Sequence, residues 1–179
     1  MKTIIKRALA LVLAVSTLLA LVLLVSCGTK GAIEDFLTSD NYTFKAGKLT
    51  VKVDGATVYV NNDGNVKYLY YSKSEQRYFY CEVSKDGIIN KESIDSEEYL
   101  IYHGQLVSTV ANTSTLLTGF LQIADMLEDV DGVYTVDNYT VKAVDGVITC
   151  TVGESKATVS NVGSTKITIP NNVTKAEAR

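Results

Sequence analysis

Three cysteines, one histidine and scattered carboxylates are the residues of this chain best equipped for chemistry. Cys27 ends an apolar run: Lys2, Lys6 and Arg7 come first, then 18 uncharged residues from Ala8 to Val25. A basic start, an apolar middle and small residues near a cut are the parts of a secretory signal. Cys81 stands between Phe79 and Val83 on an alternating stretch, without the electropositive, accessible setting a nucleophilic thiolate needs. With Cys150 it makes an even pair, which reads either as one disulfide or as two buried thiols packing as small hydrophobes. His103 has no second histidine to share a triad or a zinc ion, and it recurs on the apolar stripe of a helix. Asp125, Glu128, Asp129 and Asp131, like Asn61-Asn62-Asp63-Gly64-Asn65, lack the alternating ligands and central glycine of a calcium loop. No glycine loop cradles a phosphate. The expectation is a non-enzymatic protein with no catalytic residue, metal or cofactor.

Leu24-Val25-Ser26-Cys27 resembles the lipobox of bacterial lipoproteins at all four places. The resemblance implies that Cys27 is acylated, becomes the first mature residue and ties the chain to the outer side of a cell membrane. The competing reading is an uncleaved anchor, since 18 helical residues span roughly 27 Å, barely a bilayer core. Residues 1–26 are thus expected to be signal peptide and 27–31 a lipidated cysteine with a short tether. Gly28 to Gly31 reach only about 14 Å when extended. Residues 1–26 hold three of the 17 basic residues and none of the 20 acidic ones, leaving a formal charge of −6. Bulk electrostatics therefore gives the body no attraction to nucleic acid or to an anionic membrane. The expected partner is the membrane itself, through Cys27, and the body is expected to be a monomer.

The elements that position these residues follow from periodicity. Ile33, Phe36 and Leu37 predict a short helix. From Asn41 the period is two, and five Asp-Gly pairs punctuate Val/Thr/Tyr-rich runs, a strong hairpin signal. A turn at Asp54-Gly55 sets Val53 against Ala56 and Val51 against Val58. A three-residue loop at Asn62-Asp63-Gly64 pairs Val60 with Val66 and Val58 with Tyr68. Turns at Asp145-Gly146 and Gly153-Glu154 pair Ala143 with Ile148, Val141 with Cys150, and Cys150 with Ala157. A last strand, Thr165 to Ile169, joins this face only if the loop at Gly163 has an odd count, which sets Ile167 opposite Val159. Between the strand groups Asp95-Ser96-Glu97-Glu98 is a capping-box variant for Tyr99 to Val110, with a strand at Tyr99–Tyr102 as the competing reading. Asn112-Thr113-Ser114 offers new caps for Leu116 to Glu128, a segment so apolar that burial on more than one side is expected.

The fold class expected is α+β: an antiparallel β-meander with one buried face, curled over central helices. Element order, Asn41-Tyr42-Thr43 and the closing Gly163-Ser164-Thr165-Lys166-Ile167-Thr168-Ile169-Pro170 resemble the lipoprotein-carrier proteins of LolA, LolB and LppX type and small lipoproteins of that build. The resemblance covers residues 33 to 170. It implies an open half-barrel, placed at 32–170, with an apolar cavity that takes acyl chains, and a polar, frayed tail at 171–179. The cavity lining is expected from Tyr68, Tyr70, Phe79, Leu117, Phe120, Leu121 and Ala124. The function expected is binding or carrying of a hydrophobic ligand, a lipid above all. The alternative is a filled-core lipoprotein that shows its tyrosine-rich hairpin to a protein or envelope polymer. Replacing Cys27 by Ala is expected to abolish lipid addition and membrane retention, checked by intact mass and by membrane fractionation.

Overall fold

The computed structural model describes residues 28–127, 129–130 and 132–178; the lipobox and Cys27 lie outside them. Helix α1 (Thr29–Thr38) leads into six strands: β1 (Asn41–Ala46), β2 (Leu49–Asp54), β3 (Thr57–Asn62), β4 (Asn65–Ser72), β5 (Arg77–Val83) and β6 (Ile89–Ile94). Helix α2 (Ser96–Ile123) and a 3₁₀ turn (Ala124–Met126) come next. The chain closes with β7 (Asp129–Val130), β8 (Val133–Val136), β9 (Tyr139–Val144), β10 (Val147–Val152), β11 (Ser155–Ser160) and the single-turn helix α3 (Asn171–Thr174). The eleven strands form one antiparallel sheet, ordered β6-β5-β4-β3-β2-β1-β11-β10-β9-β8-β7. Two meanders thus meet at the β1–β11 pair, and β6 and β7 are its two ends. The fold is α+β with an open sheet.

One face of the sheet carries α1 and α2. Ile33 and Phe36 of α1 and Leu106, Val110, Leu117 and Phe120 of α2 join Phe44, Val51, Val58, Leu69, Val141, Ile148 and Val159 in the main core. Its members are at most 9% exposed, so the space between α2 and the sheet is filled by side chains. The capping box forms: the Asp95 carboxylate accepts the N–H groups of Glu97 (2.8 Å) and Glu98 (2.9 Å), and the Glu98 carboxylate accepts that of Asp95 (3.1 Å). Two helices were expected here, yet α2 is one helix of 28 residues. The Ser114, Thr115 and Thr118 hydroxyls donate to the carbonyls four residues back, at 3.3, 3.0 and 2.9 Å, so they do not cap a new start. Burial of Leu116 to Leu127 on more than one side does not occur either, because Thr118, Gly119, Gln122, Asp125 and Met126 face outward.

Turn chemistry decides which face each strand residue takes. The β9–β10 and β10–β11 pairings are those the sequence predicts, Cys150 opposite Val141 and Ala157 included. At the β2–β3 turn the faces agree but the pairing moves on by one residue on each side, giving Val53–Val58 and Val51–Val60. Asp54 is kept in its strand by the Asn41 amide, which donates to its carboxylate at 2.8 Å, so Gly55 (φ +57°) and Ala56 make the turn. At β3–β4 the difference is larger. Asp63 (φ +51°) and Gly64 (φ +88°) both take positive φ and close a two-residue turn. Val58 therefore faces Leu69, and Tyr59 faces Tyr68. A one-residue change in loop length turns a whole strand over. Tyr68, Tyr70 and Phe79 consequently leave the main core.

These three rings form a second core on the other face, with Cys81 and Val173. The expected last strand does not exist: Thr165 to Pro170 is non-regular and crosses the outer face. The expected frayed tail is also absent up to residue 174, since α3 buries Val173 to 1% exposure, worth roughly 1.5–3 kcal/mol. The crossing is fixed at its root by Asn41. Its backbone carbonyl accepts the Gly163 N–H at 2.8 Å; its side-chain oxygen accepts the Thr165 N–H at 2.7 Å, and its amide donates to the Thr165 carbonyl at 3.1 Å. The Thr43 and Thr165 hydroxyls meet at 2.9 Å beneath. Replacing Asn41 by Ala removes three side-chain hydrogen bonds at about 1 kcal/mol each. It should lower the melting temperature by roughly 5–10 °C in a thermal scan.

Candidate functional site

The seven residues expected to line one cavity do not share one. Leu117, Phe120 and Ala124 are packed in the main core with Leu121 against them, while Tyr68, Tyr70 and Phe79 lie across the sheet. Cys150 and Cys81 are divided in the same way. Both are free and buried, so the disulfide reading gives way to two packed thiols. Burial pushes the Cys81 thiol up to about 11, against the pull of the Lys91 ammonium, which suits an inert group. His103 is half-buried with its ring 5.6 Å from that of Tyr99, and burial holds its imidazole below the usual value. Asp125 pairs with Lys30 at 3.3 Å; Glu128 and Asp131 lie outside the described residues. Asp63 bridges Lys48 (3.2 Å) and Lys85 (3.1 Å), a turn-fixing role.

The open space lies elsewhere, beside α1. A groove of about 770 Å³ runs between Ala32, Asp35 and Thr38 of α1 with Ser39 just after it, the β9–β10 hairpin end from Ala143 to Ile148, and the stretch Ser160 to Ser164. That volume is in the range of small-molecule sites. Its lining is built from small side chains, with Ile148 the largest, and this keeps the space open. Ala32, Ala143, Val147, Ile148 and Val162 supply apolar surface; Thr38, Ser39, Ser160, Asn161 and Ser164 supply polar groups. Asp35 and Asp145 are its charged residues. Sequence periodicity gave no sign of this groove, because its walls come from a helix, a turn and a non-regular stretch.

The N-terminal end of the groove is fixed in place. Thr29, 2% exposed, donates its hydroxyl to the Gly132 carbonyl and accepts the Ala143 N–H at 3.0 Å. Helix α1 therefore starts two residues after Cys27, and the expected tether of 28–31 shrinks to Gly28.

The tyrosines of the β4–β5 hairpin serve both faces. Tyr78 stacks on Tyr99 at 4.4 Å and Tyr80 on Tyr102 at 4.2 Å, which seats the start of α2 on the sheet. The Tyr80 hydroxyl donates to Glu82 at 2.6 Å, and Lys67 pairs with the same carboxylate at 3.0 Å. Among the described residues no cluster of His, Cys, Asp and Glu could hold a metal ion, and no helix is long and apolar enough to cross a membrane.

No protein-family model, curated protein or solved structure matches the chain.

The Tyr80 and Lys67 hydrogen bonds hold the Glu82 carboxyl below the ordinary carboxylate value. A folded-state value depressed in this way stabilises the protein above the unfolded value, and that stability is lost as pH falls through the folded one. NMR titration should place the Glu82 midpoint below 4.5, and Tyr80→Phe should raise it.

Proposed function

We propose that this chain is a lipid-anchored, extracytoplasmic lipoprotein without enzymatic activity, built as a half-barrel of the LolA type. Its task on this reading is to hold an amphiphilic ligand, with a membrane lipid the favoured class, in the groove beside α1. The observation that carries the reading is continuity: the helix that walls the groove is the one Cys27 leads into, with only Gly28 between. Ala32 in the groove wall is about 10 Å along the chain from the anchoring residue. A domain held so closely presents this end to the bilayer surface. Apolar and polar lining side by side suits a molecule with a chain and a headgroup. The ligand is placed here and not beneath α2, because Leu117 and Phe120 already occupy that space.

The filled main core favours the second reading, an interaction lipoprotein that binds a protein or envelope polymer. Native mass spectrometry of the full-length protein, extracted in mild detergent, separates the two. The lipid reading expects a co-purifying amphiphile and uptake of N-phenyl-1-naphthylamine that lipid displaces. Ala32→Phe, which fills the groove from the α1 side, should cut probe uptake at least fivefold with the melting temperature retained. Absence of both bound lipid and displaceable uptake in the parent protein would leave the interaction reading.

A further inference from the structure

We propose that the outer face of β4–β6 is a docking surface for an extended peptide, and that its resident occupant is the chain's own C-terminal segment, held as a releasable latch. The surface is built for an occupant. Tyr68, Tyr70 and Phe79 line it, Cys81 is its fully buried floor, and Val173 is the one anchor from the segment buried to 1%. Lys91 supplies a catch: it is 4% exposed, its ammonium lies 4.3 Å over the Phe79 ring and donates to the Thr174 carbonyl at 2.8 Å. The Glu75 carboxylate, 4.0 Å away, balances its charge. The Tyr70 hydroxyl is buried in this face, against the Cys81 thiol.

Retention is uneven along the segment, and that makes it a latch. Its root, Gly163 to Thr165, is held to β1 by four hydrogen bonds from Asn41 and Thr43. From Lys166 to Ile169 no hydrogen bond joins it to the sheet among the described residues. Beyond, Val173 and the Lys91–Thr174 bond hold it, with Ile169 packed alongside. Opening from Lys166 onward breaks those distal contacts and leaves the helix-covered core on the opposite face untouched. Local opening of that kind is a recognised form of native-state motion. The uncovered strip then takes the same segment back, with Val173 on the aromatic floor and the Thr174 carbonyl on Lys91.

Two thiols on opposite faces report the two events separately. In the full chain carrying Cys27→Ser, N-ethylmaleimide labelling followed by peptide mass spectrometry should modify Cys81 at least tenfold faster than Cys150, although Cys81 is the more buried at 0% against 5%. Val173→Asp should speed Cys81 a further tenfold with Cys150 unchanged. A synthetic peptide of residues 165–178, added to the Val173→Asp chain, should slow Cys81 labelling back toward the parent rate; the same peptide with Val173→Asp should not. A common labelling rate for both thiols in the parent, or a parallel rise of both in the variant, would show that the segment opens only with the whole fold and overturn the latch. Failure of the peptide to protect Cys81 would overturn the docking surface.

Discussion

The side chain of Asn41 ties the start of β1 both to the end of β2, its paired neighbour, and to the stretch after β11, which no strand pairing reaches. Its oxygen accepts the Thr165 N–H, and its amide group donates both to the Thr165 carbonyl and to the Asp54 carboxylate. Both donors of the amide are in use and so is its acceptor, which leaves the group little reason to rotate. Asn41 opens β1, the strand at which the two meanders meet. One residue thereby sets where β2 ends, where the stretch after β11 turns across the sheet and where the outer covering begins.

The second constraint is parity. Side chains on a strand alternate faces, so the number of residues in a turn decides which core the next strand feeds. At Asp63-Gly64 two residues with positive φ close the hairpin, and β4 then sends Leu69 to the helices and Tyr68 and Tyr70 outward. β5 follows in register, with Tyr80 inward and Phe79 and Cys81 outward. A sheet with apolar residues on both faces at this end needs covering twice. Helices α1 and α2 serve one face, and Ile169 with Val173 of α3 serves the other.

This explains which parts of the fold were legible in the sequence. Asp145-Gly146 and Gly153-Glu154 sit in strands where only one face is apolar, so pattern alone returns the observed pairs. In Tyr68-Leu69-Tyr70-Tyr71 and Tyr78-Phe79-Tyr80-Cys81 both faces are apolar or aromatic, and alternation carries no information about which is which. The capping box at Asp95 was readable because it is local; the continuity of α2 through Asn112-Thr113-Ser114 was not, because cap-forming hydroxyls also satisfy helix carbonyls. Asn41-Tyr42-Thr43 and Gly163-Ser164-Thr165 stood out as short strings at the two ends of the domain. Their hydrogen bonds to each other became visible only once the chain was folded. The groove had no signal at all, since small residues drawn from a helix, a turn and a non-regular stretch share no period.

The groove and the outer covering meet at one place, Asn161 to Ser164, which walls the first and begins the second. Whether motion passes between them depends on the stiffness of that junction. Asn161 and Gly163 adopt left-handed φ values of +54° and +69°, and the Ser164 N–H returns to the Asn161 carbonyl at 3.0 Å. The Thr165 hydroxyl bonds the same carbonyl at 3.1 Å while it meets Thr43 below. A tight turn so bonded at both ends behaves as a fixed post, not as a hinge. The stretch without hydrogen bonds to the sheet among the described residues begins after it, at Lys166, on the face away from the groove. The fold thus sets a groove-bearing face and a separately covered aromatic face back to back on one sheet, with the Asn41 junction between them.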